Sequence, residues 1–194
     1  MSKGIHMWKC LKKIKWSKIL FWFVFGSLLF SFAYAIGNLL RAPGHLGEGA
    51  PYQKLKSDYA LVVFQCALGM IVIFLPSILE HKFKIEISES MHIVFFIFLY
   101  GAIYLGEVRD FYYQVPNWDA IQHTLSGGML GALGFSVVDF LNKNVSMRLS
   151  PLFIAFFAFC FSVTLGTLWE IYEFSADGIL GLNMQKFMTE NGTI

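Results

Sequence analysis

Lys18-Ile19-Leu20-Phe21-Trp22-Phe23-Val24-Phe25-Gly26-Ser27-Leu28-Leu29-Phe30-Ser31-Phe32-Ala33-Tyr34-Ala35-Ile36-Gly37-Asn38-Leu39-Leu40 carries no charge after its first residue. Wound as an α-helix, this stretch reaches about 34 Å, enough to cross a hydrocarbon core of about 30 Å. Its bulky residues fall on all sides, as expected for a helix surrounded by lipid or protein. It is too long for an ordinary signal-peptide core, and no small-x-small cleavage site clearly follows it. Four further apolar stretches read the same way: Tyr59–Leu79, Met91–Gly106, Ala120–Leu141 and Leu152–Phe174. The fold class is therefore all-α, a polytopic bundle of five membrane spans. Residues 1–17 form a basic tail, 18–177 the bundle, and 178–194 a C-terminal segment at or beyond the membrane surface.

Composition agrees. Of 194 residues, 56% are hydrophobic and 14% charged, where soluble domains carry about 25% charged residues. A net charge of +2 gives no footprint for nucleic acid. Basic residues gather instead in the tail, at Lys3, Lys9, Lys12, Lys13, Lys15 and Lys18, which puts the N-terminus in the cytoplasm by the positive-inside rule. Alternation then leaves Lys82, Lys84, Lys143 and Arg148 on the same side. Tyr52, Tyr59, Tyr104, Tyr112, Tyr113 and Tyr172 gather at the outer interface, with Trp118 and Trp169. Trp8, Trp16 and Trp22 mark the inner one. A multi-pass protein of a cell membrane is expected. Cys10, Cys66 and Cys160 offer no external disulfide framework.

Two acidic clusters interrupt this apolar background: Trp118-Asp119-Ala120-Ile121-Gln122-His123, and Trp169-Glu170-Ile171-Tyr172-Glu173 with Asp177 beyond it. An ionisable group at bilayer depth costs about 2.5–3.5 kcal/mol on insertion scales, so it marks a site by default. The clusters open the fourth span and close the fifth, at the same surface. Asp119, His123, Gly127 and Gly131 recur every four residues, with Gly134 near the same stripe. Ser162, Gly166, Glu170, Glu173 and Asp177 follow 4, 4, 3 and 4 spacing. Residues so spaced share a helix face, and small ones permit close helix approach. Packing along these stripes brings His123 toward the acidic pair.

The expected polar site holds Glu107, Asp119, His123, Glu170 and Glu173, with Arg109, Asp110 and Asp177 at its rim. Each member alone has a plainer reading. Asp119 after a cap at Asn117 suits a helix dipole, Glu107 and Asp110 suit an interface, and the glycines suit packing. Glu170 and Glu173 resist it: like charges one turn apart at a helix C-terminus call for protonation, a basic partner or a bound cation. His123, Glu170 and Glu173 are the metal ligands expected for a divalent metal ion such as Zn²⁺, Mn²⁺ or Fe²⁺.

Asp119-x3-His123 followed by Ser-Gly-Gly, then Trp169-Glu170-x2-Glu173, Asp177 and Asn183-Met184-Gln185, resembles the YjdF-like bacterial membrane proteins. It is similar, more distantly, to the VanZ-like proteins, some linked to glycopeptide resistance, although Ala120 stands where those often carry Lys. The resemblance covers about Gly106 to Gln185. It implies a small helical-bundle membrane protein, assigns no reaction, and implies a chain that often continues past this segment.

Three functions follow as expectations. One is a metal site acting on a lipid or envelope headgroup substrate. A second is a proton- or ion-coupled transport component. The third is a non-catalytic VanZ-like resistance factor that binds membrane lipid, a second copy of itself or another membrane protein. A rhomboid-like serine protease is excluded: Ser126 and its only candidate base, His123, lie on one helix.

Overall fold

The computed structural model describes residues 15–44, 54–83, 87–145 and 148–186. The basic tail before residue 15 with Cys10, most of the loop after Arg41, and residues 187–194 with the Asn191-Gly192-Thr193 acceptor pattern lie outside the described residues. The described chain is all-helical. Its helices are α1 (Trp16–Leu39), α2 (Lys56–Val72), α3 (Leu75–Phe83), α4 (Glu89–Leu99), α5 (Phe111–Gln114), α6 (Trp118–Val145) and α7 (Pro151–Leu180), with α4 running on into a π-helical stretch at Tyr100–Val108. Five spans are long and apolar enough to cross a membrane: Trp16–Leu39, Lys56–Lys82, Glu89–Val108, Trp118–Asn142 and Pro151–Leu180.

Local chemistry sets where these helices start and bend. Ser88 accepts a hydrogen bond from the Met91 backbone N–H, and Ser150 one from Phe153, so each caps a helix start. Pro151 follows directly, in the first-turn position where a missing N–H costs nothing. The second span is not one straight helix. Pro76 cannot donate to the carbonyl four residues back, and the chain makes a turn at Ile73-Phe74 before α3 resumes.

The five spans fall into two groups. α1, α2 and the α4 span pack around Val24, Leu28, Ala35, Val62, Cys66, Phe96, Leu99 and Ile103, all buried. α6 and α7 form a long antiparallel hairpin in which α7 packs chiefly against α6. Ser162 Oγ donates to the Gly127 carbonyl oxygen at 2.8 Å across that hairpin, and a Cβ at Gly134 would meet the Phe161 ring. Gly131 and Gly166 approach nothing closely, so the small-residue contact is made at two points of the stripe and not along its length. The hairpin leans on the three-helix group mainly through α4 and α6, and again at one end, where Ala176, Leu182 and Met184 bury against Leu61 of α2. A long cavity remains between the two groups.

The fifth span runs further than its sequence indicates. Gly178 does not stop it. The helix ends at Leu180, with Gly181 in the left-handed region (φ 63°) and its N–H bonded to the Asp177 carbonyl, the conformation only glycine adopts freely. Glu170 and Glu173 therefore lie two turns or more before the end. A helix dipole acts mainly within the last turn, so it does not explain their strain.

Candidate functional site: a histidine–carboxylate cluster at the mouth of an apolar cavity

His123 sits one turn into α6 and Glu170 faces it from α7. The imidazole Nε2 lies 3.5 Å from Glu170 Oε1 and 3.5 Å from Asp119 Oδ2. His123, Glu170 and Glu173 each bring one donor atom within 4.8 Å of the other two. A separation of 3.5 Å is long for a hydrogen bond from N–H to oxygen. It matches the edge of a coordination shell: two ligands about 2.1 Å from a tetrahedral ion stand about 3.4 Å apart. His123 and Glu170 are exposed, whereas Glu173 is buried at 8% exposure and faces inward. Asp119 reaches the same imidazole from its own helix and lies at the edge of this trio.

The structure separates the remaining expected members from this cluster. Glu107 is buried at 7% exposure and pairs with Lys186 Nζ at 2.8 Å. It does not share a face with Tyr100 and Tyr104, whose rings stack on each other 4.8 Å apart. The π-helical winding is the reason: bonding from i to i+5 adds residues to each turn, so three residues past Tyr104 no longer complete one. Glu107 turns instead toward the cavity, which it lines. At Asp110 the backbone takes a left-handed conformation (φ 60°), and the carboxylate pairs with Lys54 at 2.7 Å. Lys54 also donates to the carbonyl oxygens of Glu107 and Val108, closing the helix end. Arg109 is exposed, and neither it nor Asp110 lines the cavity. Asp110, expected at the rim, is thus part of a structural clamp. Asn117 likewise has φ 60°, outside the extended geometry of an ordinary N-cap.

Asp177 is not a solvated helix end. Its two carboxylate oxygens accept from the backbone N–H groups of Met184 and Gln185, at 2.6 and 3.0 Å. This folds residues 181–186 back over the cavity as a strap. Met184 plugs inward, buried at 4% exposure, and Gln185 Nε2 reaches Glu170 Oε2 at 3.5 Å. Asn183 Nδ2 donates to the Tyr113 hydroxyl at 2.9 Å. Lys186 passes over the Tyr112 and Tyr113 rings at 5.1 and 5.7 Å on its way to Glu107, the range of a cation–π contact. These tyrosines therefore pack against the strap.

Tyr112 joins the two halves of the polar end. Burial pushes its phenol pKa up, and the charges of Glu107, Asp119 and Glu173 push it further, so it stays protonated. Its ring occupies the space where Gly106 lacks a side chain; a Cβ there would collide with the ring. Gly106→Ala is expected to cost about 1–3 kcal/mol, as overpacking does, and to lower the thermal midpoint in detergent. An unchanged midpoint would show that Tyr112 is not held there.

Lys186, Tyr112, Gln185 and Gln122 were not among the site residues expected from the sequence. Gln122 had a local signal, an amide inside an apolar span beside His123, and Gln185 lay in the motif that carries the family resemblance. Glu107, Tyr112, Asp119, Gln122, His123 and Glu173 all line one cavity of about 560 Å³. Fold and polar end together define a multi-pass helical membrane protein. The chain belongs to the family described as predicted membrane protein (DUF2238), whose model matches residues 51–194, a range that takes in every residue of the cluster and the strap. The YjdF-like resemblance is consistent with this family. Neither the curated proteins nor the solved structures give a match.

Proposed function

We propose that this protein lies in a bacterial plasma membrane with its N-terminus in the cytoplasm. There it holds a divalent cation between His123, Glu170 and Glu173 near the outer surface, and acts on a lipid or envelope headgroup. The observation that carries this reading is the convergence of one imidazole and two carboxylates, from two helices, with a donor atom of each within 4.8 Å of the other two. A cation relieves the repulsion of the two acids, and Lys186, the nearby base, is already engaged by Glu107. Mixed imidazole and carboxylate donors suit Zn²⁺, Mn²⁺ or Fe²⁺. Three protein ligands leave open positions, where a cation activates water or polarises a phosphoryl or carbonyl oxygen. Orientation rests on the lysine-rich tail.

Ion-coupled transport is less well supported. Below the cluster the cavity walls are mostly apolar, with Leu68, Val72, Phe95, Leu130 and Leu133 and no ionisable side chain, and an ion path requires polar or charged lining.

Elemental analysis of protein purified without chelator tests the reading. About one Zn, Mn or Fe per chain is expected, in keeping with a single three-ligand site. Metal at trace levels, not restored by dialysis against Zn²⁺ or Mn²⁺, would contradict it and leave the non-catalytic, VanZ-like role.

A further inference from the structure

The cavity behind the cluster has a shape and a polarity that select a ligand. Its lining runs from Glu107 and Glu173 at the strap end to Leu75, Pro76 and Ile87 near the opposite end of the bundle. Along the α4 span, Ile87 to Glu107 covers about 30 Å at the ordinary helical rise. A volume of about 560 Å³ spread over that length makes the cavity long and narrow, the shape of an extended hydrocarbon chain. The chemistry is segregated along the bore. Ionisable groups and Tyr112 occupy one end, and the rest is lined mostly by Leu, Val, Phe and Met, with Gln65, Gln122 and Ser126 as neutral polar members.

One group on the wall is unfinished. Gln122 is 94% buried, lines the cavity, and its Oε1 accepts no hydrogen bond from the described residues. An amide oxygen buried without a donor costs about 1–3 kcal/mol. A hydroxyl or amide N–H at the neck of a bound amphiphile supplies that donor one residue from His123. The wider depression between α4 and α6, about 680 Å³ along Met91, Val94, Ile121 and Leu125, is open and lacks ionisable lining. It reads as lipid-facing surface.

We infer that the cavity seats one hydrocarbon chain of a phosphate-bearing lipid, with its neck at Gln122 and its head at the His123–Glu170–Glu173 cation. This names the substrate class of the reading above and, for the headgroup contact, rests on it. The seat for the chain stands on cavity shape and on Gln122.

A lysophosphatidic acid carrying a diazirine at the end of its acyl chain, photolysed in vesicles with the purified protein, tests the inference. Crosslinks are expected on the deep wall, at Val72, Phe95 or Leu133. They should fall at least about tenfold with Leu130→Trp, which fills the bore, and in wild type with excess unlabelled hexadecyl phosphate. Inorganic phosphate, which has no chain, should not compete. Crosslinks confined to lipid-facing residues such as Phe156 and Phe159, or deep crosslinks indifferent to both the variant and the competitor, would overturn the chain seat. Deep crosslinks that persist in protein shown by elemental analysis to bind no cation would overturn the metal reading alone and leave the seat in place.

Discussion

Replacing Lys186 with Ala is expected to destabilise the protein by about 3–5 kcal/mol, the usual cost of breaking a buried ion pair from one side. The pair is closely matched at 2.8 Å, with side-chain exposures of 9% and 7%. Removing the ammonium leaves the buried Glu107 carboxylate without its countercharge, and it frees the strap from the two tyrosine rings. The loss should appear as a large drop in thermal midpoint, read from tryptophan fluorescence in detergent micelles. The double variant Glu107→Gln/Lys186→Met should recover most of it, because neither partner is then an uncompensated charge. A single-variant effect below about 1 kcal/mol, the level of an exposed ion pair, would mean that the strap does not seal this end of the bundle.

The second large effect concerns the cluster itself. His123→Ala, Glu170→Gln and Glu173→Gln should each weaken cation binding more than about a hundredfold, beyond the 10–100-fold that loss of an outer partner costs. Asp119→Asn should fall within that smaller range, since Asp119 touches the imidazole without joining the trio. Competition against a chelating dye measures all four. An inverted order, with Asp119 dominant and Glu173 silent, would relocate the site to the surface of α6 and disconnect it from the cavity.

Much of this architecture is readable in the sequence because lipid imposes a simple rule. A segment that crosses must be apolar for about 20 residues, and the five runs obey it. The meeting of His123 with Glu170 is readable too, from four-residue spacing on two consecutive helices. What is not readable is non-local or depends on unusual winding. Nothing local indicates that Lys186 folds back seventy-nine positions to reach Glu107, or that Asp177 binds the backbone of the strap. Gly178 looks like a stop, yet only Gly181 adopts the left-handed turn. The 3.6-residue period would put Glu107 on the face of Tyr104; the π-helical stretch breaks that period, so the direction of the carboxylate is not legible. Gln122, neutral and next to a histidine, draws no attention until its oxygen is found buried without a donor.

Electron spin-echo spectroscopy of the protein loaded with Mn²⁺ examines the cluster most directly, because it detects the nucleus bound to the metal. Nitrogen modulation from one histidine is expected in wild type, abolished in His123→Ala and retained in Asp119→Asn. Bound Mn²⁺ with no nitrogen coupling, or coupling that survives His123→Ala, would contradict a cation held between α6 and α7.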